Sequence, residues 1–168
     1  MSGLGFSFGL ICRLPIIKTP RKMADDKPVV GRTKHGELTL DQLAELQPGL
    51  GQLMPMVSER YWTLYCAAQG GNWALADYEL RSLRSLWKKM STTCPKYKGM
   101  LENYAKKIFD PLEKHVAAKN FVEFEKVYRQ GIALANKMHV ATDHGEIVWK
   151  LPPNPPPHLD LGPQPSTD

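Results

Sequence analysis

Apolar residues recur along this chain at the spacing of an α-helix, in four separate stretches, and the last twenty positions forbid helix altogether. In "LMPMVSERYWTLYCAAQGG", Leu53, Val57, Tyr61, Leu64 and Ala68 fall at steps of four, four, three and four, which places them on one stripe of a helix. "NWALADYELRSLRSLWKKM" repeats the pattern through Ala76, Leu80, Leu83, Trp87 and Met90. A third stripe runs through Tyr97, Leu101, Tyr104 and Ile108, and a fourth through Phe124, Tyr128, Ile132, Ala135 and His139. The joints carry stop and start signals: Gly70-Gly71 followed by Asn72, then Asp110-Pro111 with Glu113, then Asn120 with Glu123. Asp110 and Glu113 have capping-box spacing, so a kink or restart is expected there. A shorter amphipathic helix, "GELTLDQLAELQPG", starts at Thr39 and stops at Pro48-Gly49. No strand pattern competes.

Amphipathic rods joined by short loops bury their stripes against one another, so the expected fold is all-α, an up-and-down four-helix bundle over residues 37–148. Residues 149–168, "WKLPPNPPPHLDLGPQPSTD", hold seven of the fourteen prolines and are expected to be extended, partly as polyproline II. Residues 1–36 are expected to be a disordered or misassigned leader.

The formal charge of +5 points toward nucleic acid only until it is located. Arg13, Lys18, Arg21 and Lys22 stand in the first 22 residues with no acid among them, leaving 18 basic against 17 acidic groups from Met23 onward. A body so balanced lacks the concentrated positive field that nucleic-acid binding needs. The leader makes a poor secretory signal, because its charges follow its apolar stretch. Either Met23 is the true start and the protein is cytoplasmic, or residues 1–22 are a cleaved leader and the destination is periplasmic. No apolar run reaches the length of a membrane span. Cys12, Cys66 and Cys94 form no C-x-x-C pair, so neither a zinc ribbon nor a disulfide framework is expected.

Two segments together resemble a group of small bacterial c-type-cytochrome-like proteins. They are "AAQGGNWALADYEL", against an A-G-x-x-x-N-W-x-L-A-x-Y-E junction, and "ANKMHVATDHG", against C-N-x-C-H-x-A-T-G-H-G at the end of the last helix. The resemblance covers roughly residues 53–151 and implies a cytochrome c′-like bundle, commonly dimeric. Asn136, His139, Ala141, Thr142, His144 and Gly145 match, with His139 at the haem-ligating position. Ala135 and Met138 stand where the two cysteines belong, and Asp143 replaces a glycine. Neither alanine nor methionine carries a thiol to add to a haem vinyl group, so covalent attachment is excluded at this site.

Three roles remain open for His139. It can be a helix-end residue bonded to a carbonyl, with the cofactor lost and Met138 filling the space. It can ligate a non-covalent haem b or iron, with Met138, Tyr61, Tyr65, Trp73 and Trp87 lining the pocket. Or it can share a metal with His144, although a spacing of five does not put both on one helical face. No nucleophile–base pair, phosphate loop or Gly-x-Ser-x-Gly elbow is present. The expectation is therefore a non-enzymatic interaction or accessory protein without cofactor, and the alternative is haem or metal binding through His139. A protein partner or second copy could dock on the basic stripe Arg81, Arg84, Lys88 or on the tail at 151–165. The tail could instead fold back on its own bundle through Trp149, Leu151, Leu159 and Leu161.

Overall fold

The computed structural model describes residues 30–164. The expectations for the leader before residue 30, including a start at Met23 and a cleavage after residue 22, lie outside the described residues, as do the last four positions. The chain divides into two units, Met1–Ala44 and Glu45–Asp168.

The first unit corrects the expectation that no strand forms. β1 (Val30–Thr33) pairs antiparallel with β2 (Gly36–Thr39), in the register Val30 opposite Thr39 and Thr33 opposite Gly36. The hairpin thus straddles the boundary drawn at residue 36. Its strands are four residues long, too short to display an alternating pattern, and its loop, Lys34-His35, carries none of the usual Asn-Gly signal. What closes the turn is Thr33: its hydroxyl donates to the Gly36 carbonyl at 3.0 Å and accepts from His35 N–H at 3.1 Å. Gly36 sits at φ +140°, where a side chain is strained. The short helix α1 (Leu40–Glu45) follows directly. Thr39 and Gln42 cap it reciprocally, Gln42 N–H donating to Thr39 Oγ1 at 3.2 Å and Thr39 N–H to Gln42 Oε1 at 2.8 Å.

The second unit is a helical bundle of four long segments. α2 (Leu50–Gln69) ends at Gly70-Gly71, with Gly71 at φ +81°. α3 (Trp73–Thr93) is capped by Asn72, whose Oδ1 accepts from Leu75 N–H at 3.0 Å. A 3-10 turn at Pro95–Tyr97 leads into α4 (Lys98–Tyr104), a π-helical turn (Ala105–Phe109) and α5 (Asp110–Ala117). α6 (Phe121–Ala141) starts at Asn120, whose Oδ1 accepts from Glu123 N–H at 3.2 Å.

Pro111 does not begin a new helix after a break. Tyr104, Phe109 and Asp110 all keep right-handed helical angles, and Asp110 N–H reaches back to Ala105 O. Widening the turn before the proline relieves the clash its ring would make with the carbonyl four residues earlier. Asp110 and Glu113 therefore do not act as a capping box. They hold Arg84 of α3 instead, at 2.8 and 2.7 Å.

All four stripes meet in one core. Val57, Leu64, Leu80, Leu83, Phe109 and Phe124 are fully enclosed there. At its centre Tyr61 and Tyr128 stack with ring centroids 4.2 Å apart. Tyr128 OH donates to Tyr61 O at 2.8 Å, and Tyr104 OH donates to Tyr61 OH at 3.4 Å. The cluster is admitted by Gly131 of α6, where a Cβ would collide with the hydroxyls of Tyr61 and Tyr104. Burial pushes the Tyr104 hydroxyl up to about 12 and raises those of Tyr61 and Tyr128 well above the ordinary tyrosine value.

After α6 the chain folds back over the bundle. Trp149, Leu151 and Leu161 pack against the core and Pro156 is buried, whereas Leu159 is exposed. Trp62 Nε1–H donates to Asn154 O at 2.7 Å, anchoring the proline-rich stretch on α2.

Candidate functional site

The last turns of α6 and its C-cap place Ala135, Met138, His139 and Thr142 at successive positions of one face. All four line a single, partly open cavity of about 430 Å³. Its other walls are the start of α2 (Leu50, Met54, Pro55), Trp87 of α3, and Tyr97, Met100, Leu101 and Tyr104. The segment after α6 closes it with His144, Ile147 and Trp149. Ala135 and Met138, the residues at the two cysteine positions of the resemblance, thus face the same space as His139.

Ala135 is buried, as the fourth stripe requires, but His139 is only half-buried, at the cavity's edge. Its Nδ1 lies 2.8 Å from Ile147 O. A carbonyl can only accept, so Nδ1 carries the proton, and in the neutral ring Nε2 carries the lone pair. The ring also meets Trp149 at 6.1 Å, near perpendicular. The segment that supplies both contacts is tied to α6 by Asn136. Its Oδ1 accepts from Trp149 N–H at 2.7 Å and its Nδ2 donates to Trp149 O at 2.9 Å. Thr142 Oγ1–H donates back to Met138 O at 2.9 Å, and Trp87 Nε1–H to Leu101 O at 2.9 Å, so neither donor is free for a ligand.

Of the residues expected to surround His139, Met138 and Trp87 do line the cavity with it. Tyr61, Tyr65 and Trp73 are elsewhere. Tyr61 lies behind the cavity wall, 5.7 Å from the Trp149 ring. Tyr65 donates its hydroxyl to Glu125 at 3.1 Å, and Trp73 meets Phe124 edge-on at 6.5 Å. Tyr97, Met100 and Trp149 are among the lining residues that sequence reasoning missed. Trp149 lies just beyond the helix-end segment on which sequence reasoning concentrated, and Met100 lies off the apolar stripe drawn through its helix.

His144 reaches the same cavity, but its nearest acidic partner is Glu146 at 3.5 Å. Among the described residues no three His, Cys, Asp or Glu side chains converge as metal ligands. The basic stripe on α3 is largely neutralised within the chain: Arg81 pairs with Asp77 at 2.9 Å and Arg84 with Asp110 and Glu113, while Lys88 is exposed. Burial raises the Cys66 thiol, which keeps it protonated and unreactive. Among the described residues no helix is long and apolar enough to cross a membrane.

A bound haem needs an axial donor, an apolar slot and partners for two propionates. The imidazole fits the first requirement, because a ligating histidine characteristically gives its other ring N–H to a carbonyl. The slot fits poorly. A cavity of about 150 Å³ holds one benzene, so 430 Å³ holds about three such rings, well short of a whole tetrapyrrole. No Lys or Arg lines it to meet a propionate. Compared with family models, with curated proteins and with solved structures, the chain finds no match.

Proposed function

We propose that this protein is a non-catalytic binding or accessory protein on a cytochrome-like, up-and-down four-helix bundle. In this reading the covalent haem chemistry is gone and the cavity beside His139 holds a small, reversibly bound apolar ligand. The observation that carries the reading is the convergence of Ala135, Met138 and His139 on one cavity of ligand size, closed by Trp149. An interior emptied of its purpose would be expected to collapse, since packed cores leave few voids larger than a water molecule.

The second reading is a non-covalent haem b or iron protein ligated by His139, favoured by the Nδ1–H bond to Ile147 O. Titration separates the two. Purified protein is mixed with haemin and, in parallel, with an environment-sensitive apolar dye. The proposal expects saturable dye uptake that Ala135→Phe abolishes, and no Soret shift dependent on His139. A strong Soret band lost in His139→Ala makes this a haem protein. Failure of both probes removes the small-ligand reading.

Partner docking through the proline-rich tail is less well supported than its return to the bundle. Trp62, Trp149 and Pro156 are already engaged within the chain.

A further inference from the structure

Few polar side chains line the cavity beside His139: Ser58, Tyr97, Tyr104, Thr142 and His144, of which Tyr104 and Thr142 already donate within the chain. In the neutral ring Nε2 of His139 carries the lone pair, because Nδ1 donates to Ile147 O. Pro55 and Gly51 both line the same space. A proline inside a helix has no N–H to give to the carbonyl four residues earlier, so Gly51 O lacks its i+4 donor. The Trp87 N–H is already spent on Leu101 O. Around these acceptors stand Met54, Met100 and Met138 with Trp87, Tyr104 and Trp149, thioethers and rings that pack well on an aromatic guest. No Lys, Arg, Asp or Glu lines the cavity, so apart from the His139 and His144 imidazoles a charged ligand would meet no counter-charge there.

We infer that the cavity takes a neutral aromatic alcohol of two or three rings, a phenol-class molecule whose hydroxyl donates to Nε2 of His139. The inference rests on the small-ligand reading above and adds to it the ligand's chemistry. The volume sets the size: about three benzene equivalents by the 150 Å³ benchmark. The lone pair sets the functional group, since a guest lacking a donor leaves Nε2 desolvated and unpaired. The ring-lined wall sets the aromatic body.

Three probes of nearly equal shape test it on the full chain: 2-naphthol, naphthalene and 2-naphthoate, titrated by calorimetry near neutral pH. The expected order is naphthol first, naphthalene weaker by roughly three- to tenfold, the worth of one hydrogen bond, and naphthoate not bound. In His139→Ala the gap between naphthol and naphthalene closes while naphthalene still binds. A nitrogen-15 shift of His139 Nε2 on adding naphthol to the unaltered protein reports the same contact without any substitution. Equal binding of naphthol and naphthalene, or an unmoved Nε2 resonance, overturns the phenol assignment but leaves the small-ligand reading standing. Binding of none of the three overturns both. Haemin that displaces bound naphthol and gains a His139-dependent Soret band overturns the phenol assignment in favour of haem.

Discussion

Asn136 grips the backbone of Trp149 by both ends of its amide, Oδ1 at 2.7 Å from the N–H and Nδ2 at 2.9 Å from the carbonyl oxygen. The pair imitates one rung of a β-ladder between a helix side chain and an extended segment. It fixes Trp149 as the cavity wall and sets Ile147 beside His139. Each such bond is worth about 0.5–1.5 kcal/mol net. Asn136→Ala is expected to lower stability by about 1–3 kcal/mol in urea unfolding and to weaken ligand uptake. Asn136→Asp, which keeps the acceptor but sets an oxygen against Trp149 O, should cost at least as much.

Gly131 is a helical glycine that should not be improved. Alanine there favours the helix by up to about 1 kcal/mol in an open position. Here its methyl would meet Tyr61 OH, Tyr104 OH and Ile108 Cγ2, all buried. Overpacking of this kind costs about 1–3 kcal/mol, and the Tyr61 hydroxyl network must part as well. Gly131→Ala is expected to lower the melting temperature; a rise would mean the tyrosines have room to move.

The same tyrosines predict a steep alkaline limit. An ordinary tyrosine ionises near 10, and burial holds Tyr104 up at about 12 and raises Tyr61 and Tyr128 well above the ordinary value. Between those values the unfolded chain loses protons that the folded chain keeps. The stabilising contribution is therefore whole below about pH 10 and is lost as pH rises through the folded values. Each proton so held costs about 1.4 kcal/mol per pH unit in that window. Denaturant midpoints measured from pH 9 to 11 should fall steeply, and Tyr104→Phe should make the fall shallower by up to one proton's worth.

Arg84 joins α3 to α5 through Asp110 at 2.8 Å and Glu113 at 2.7 Å, in partial exposure to water. Its Nε is buried without a hydrogen-bond partner, which offsets part of the gain. Partly exposed ion pairs are worth about 0–1 kcal/mol, so Arg84→Met should change stability by no more than about that much at physiological salt. The salt dependence of unfolding should shrink in the variant. A loss of several kcal/mol would show Arg84 to be a structural pin and not a tunable surface pair.

The positions at which sequence expectation failed share a cause. Asp110 and Glu113 have the spacing of a capping box, but spacing records only neighbours along the chain, and Arg84 on another helix claims both carboxylates. The fourth stripe correctly turns Ala135 inward and carries His139 to the edge, because a stripe drifts as the helix leaves the core. The hairpin at Val30–Thr39 escaped notice because two strands of four residues are too short for a period of two to stand out. Tyr61, Tyr65 and Trp73 looked interchangeable as pocket aromatics, and nothing local told them apart from Trp87.

By itself the sequence determined where helices start and stop, through caps at Thr39, Asn72 and Asn120 and glycines at 70 and 71. It also determined which face of each helix is apolar and that no thiols stand beside His139. These are properties of neighbouring residues, and local sterics and hydrogen bonding suffice to set them. Only the tertiary structure decided which segment covers each face: that Trp149 returns to Asn136, that Ile147 fixes the tautomer of His139, and that a cavity remains between them. Those partners lie 8 to 13 residues or more away along the chain, and packing, not periodicity, selects them.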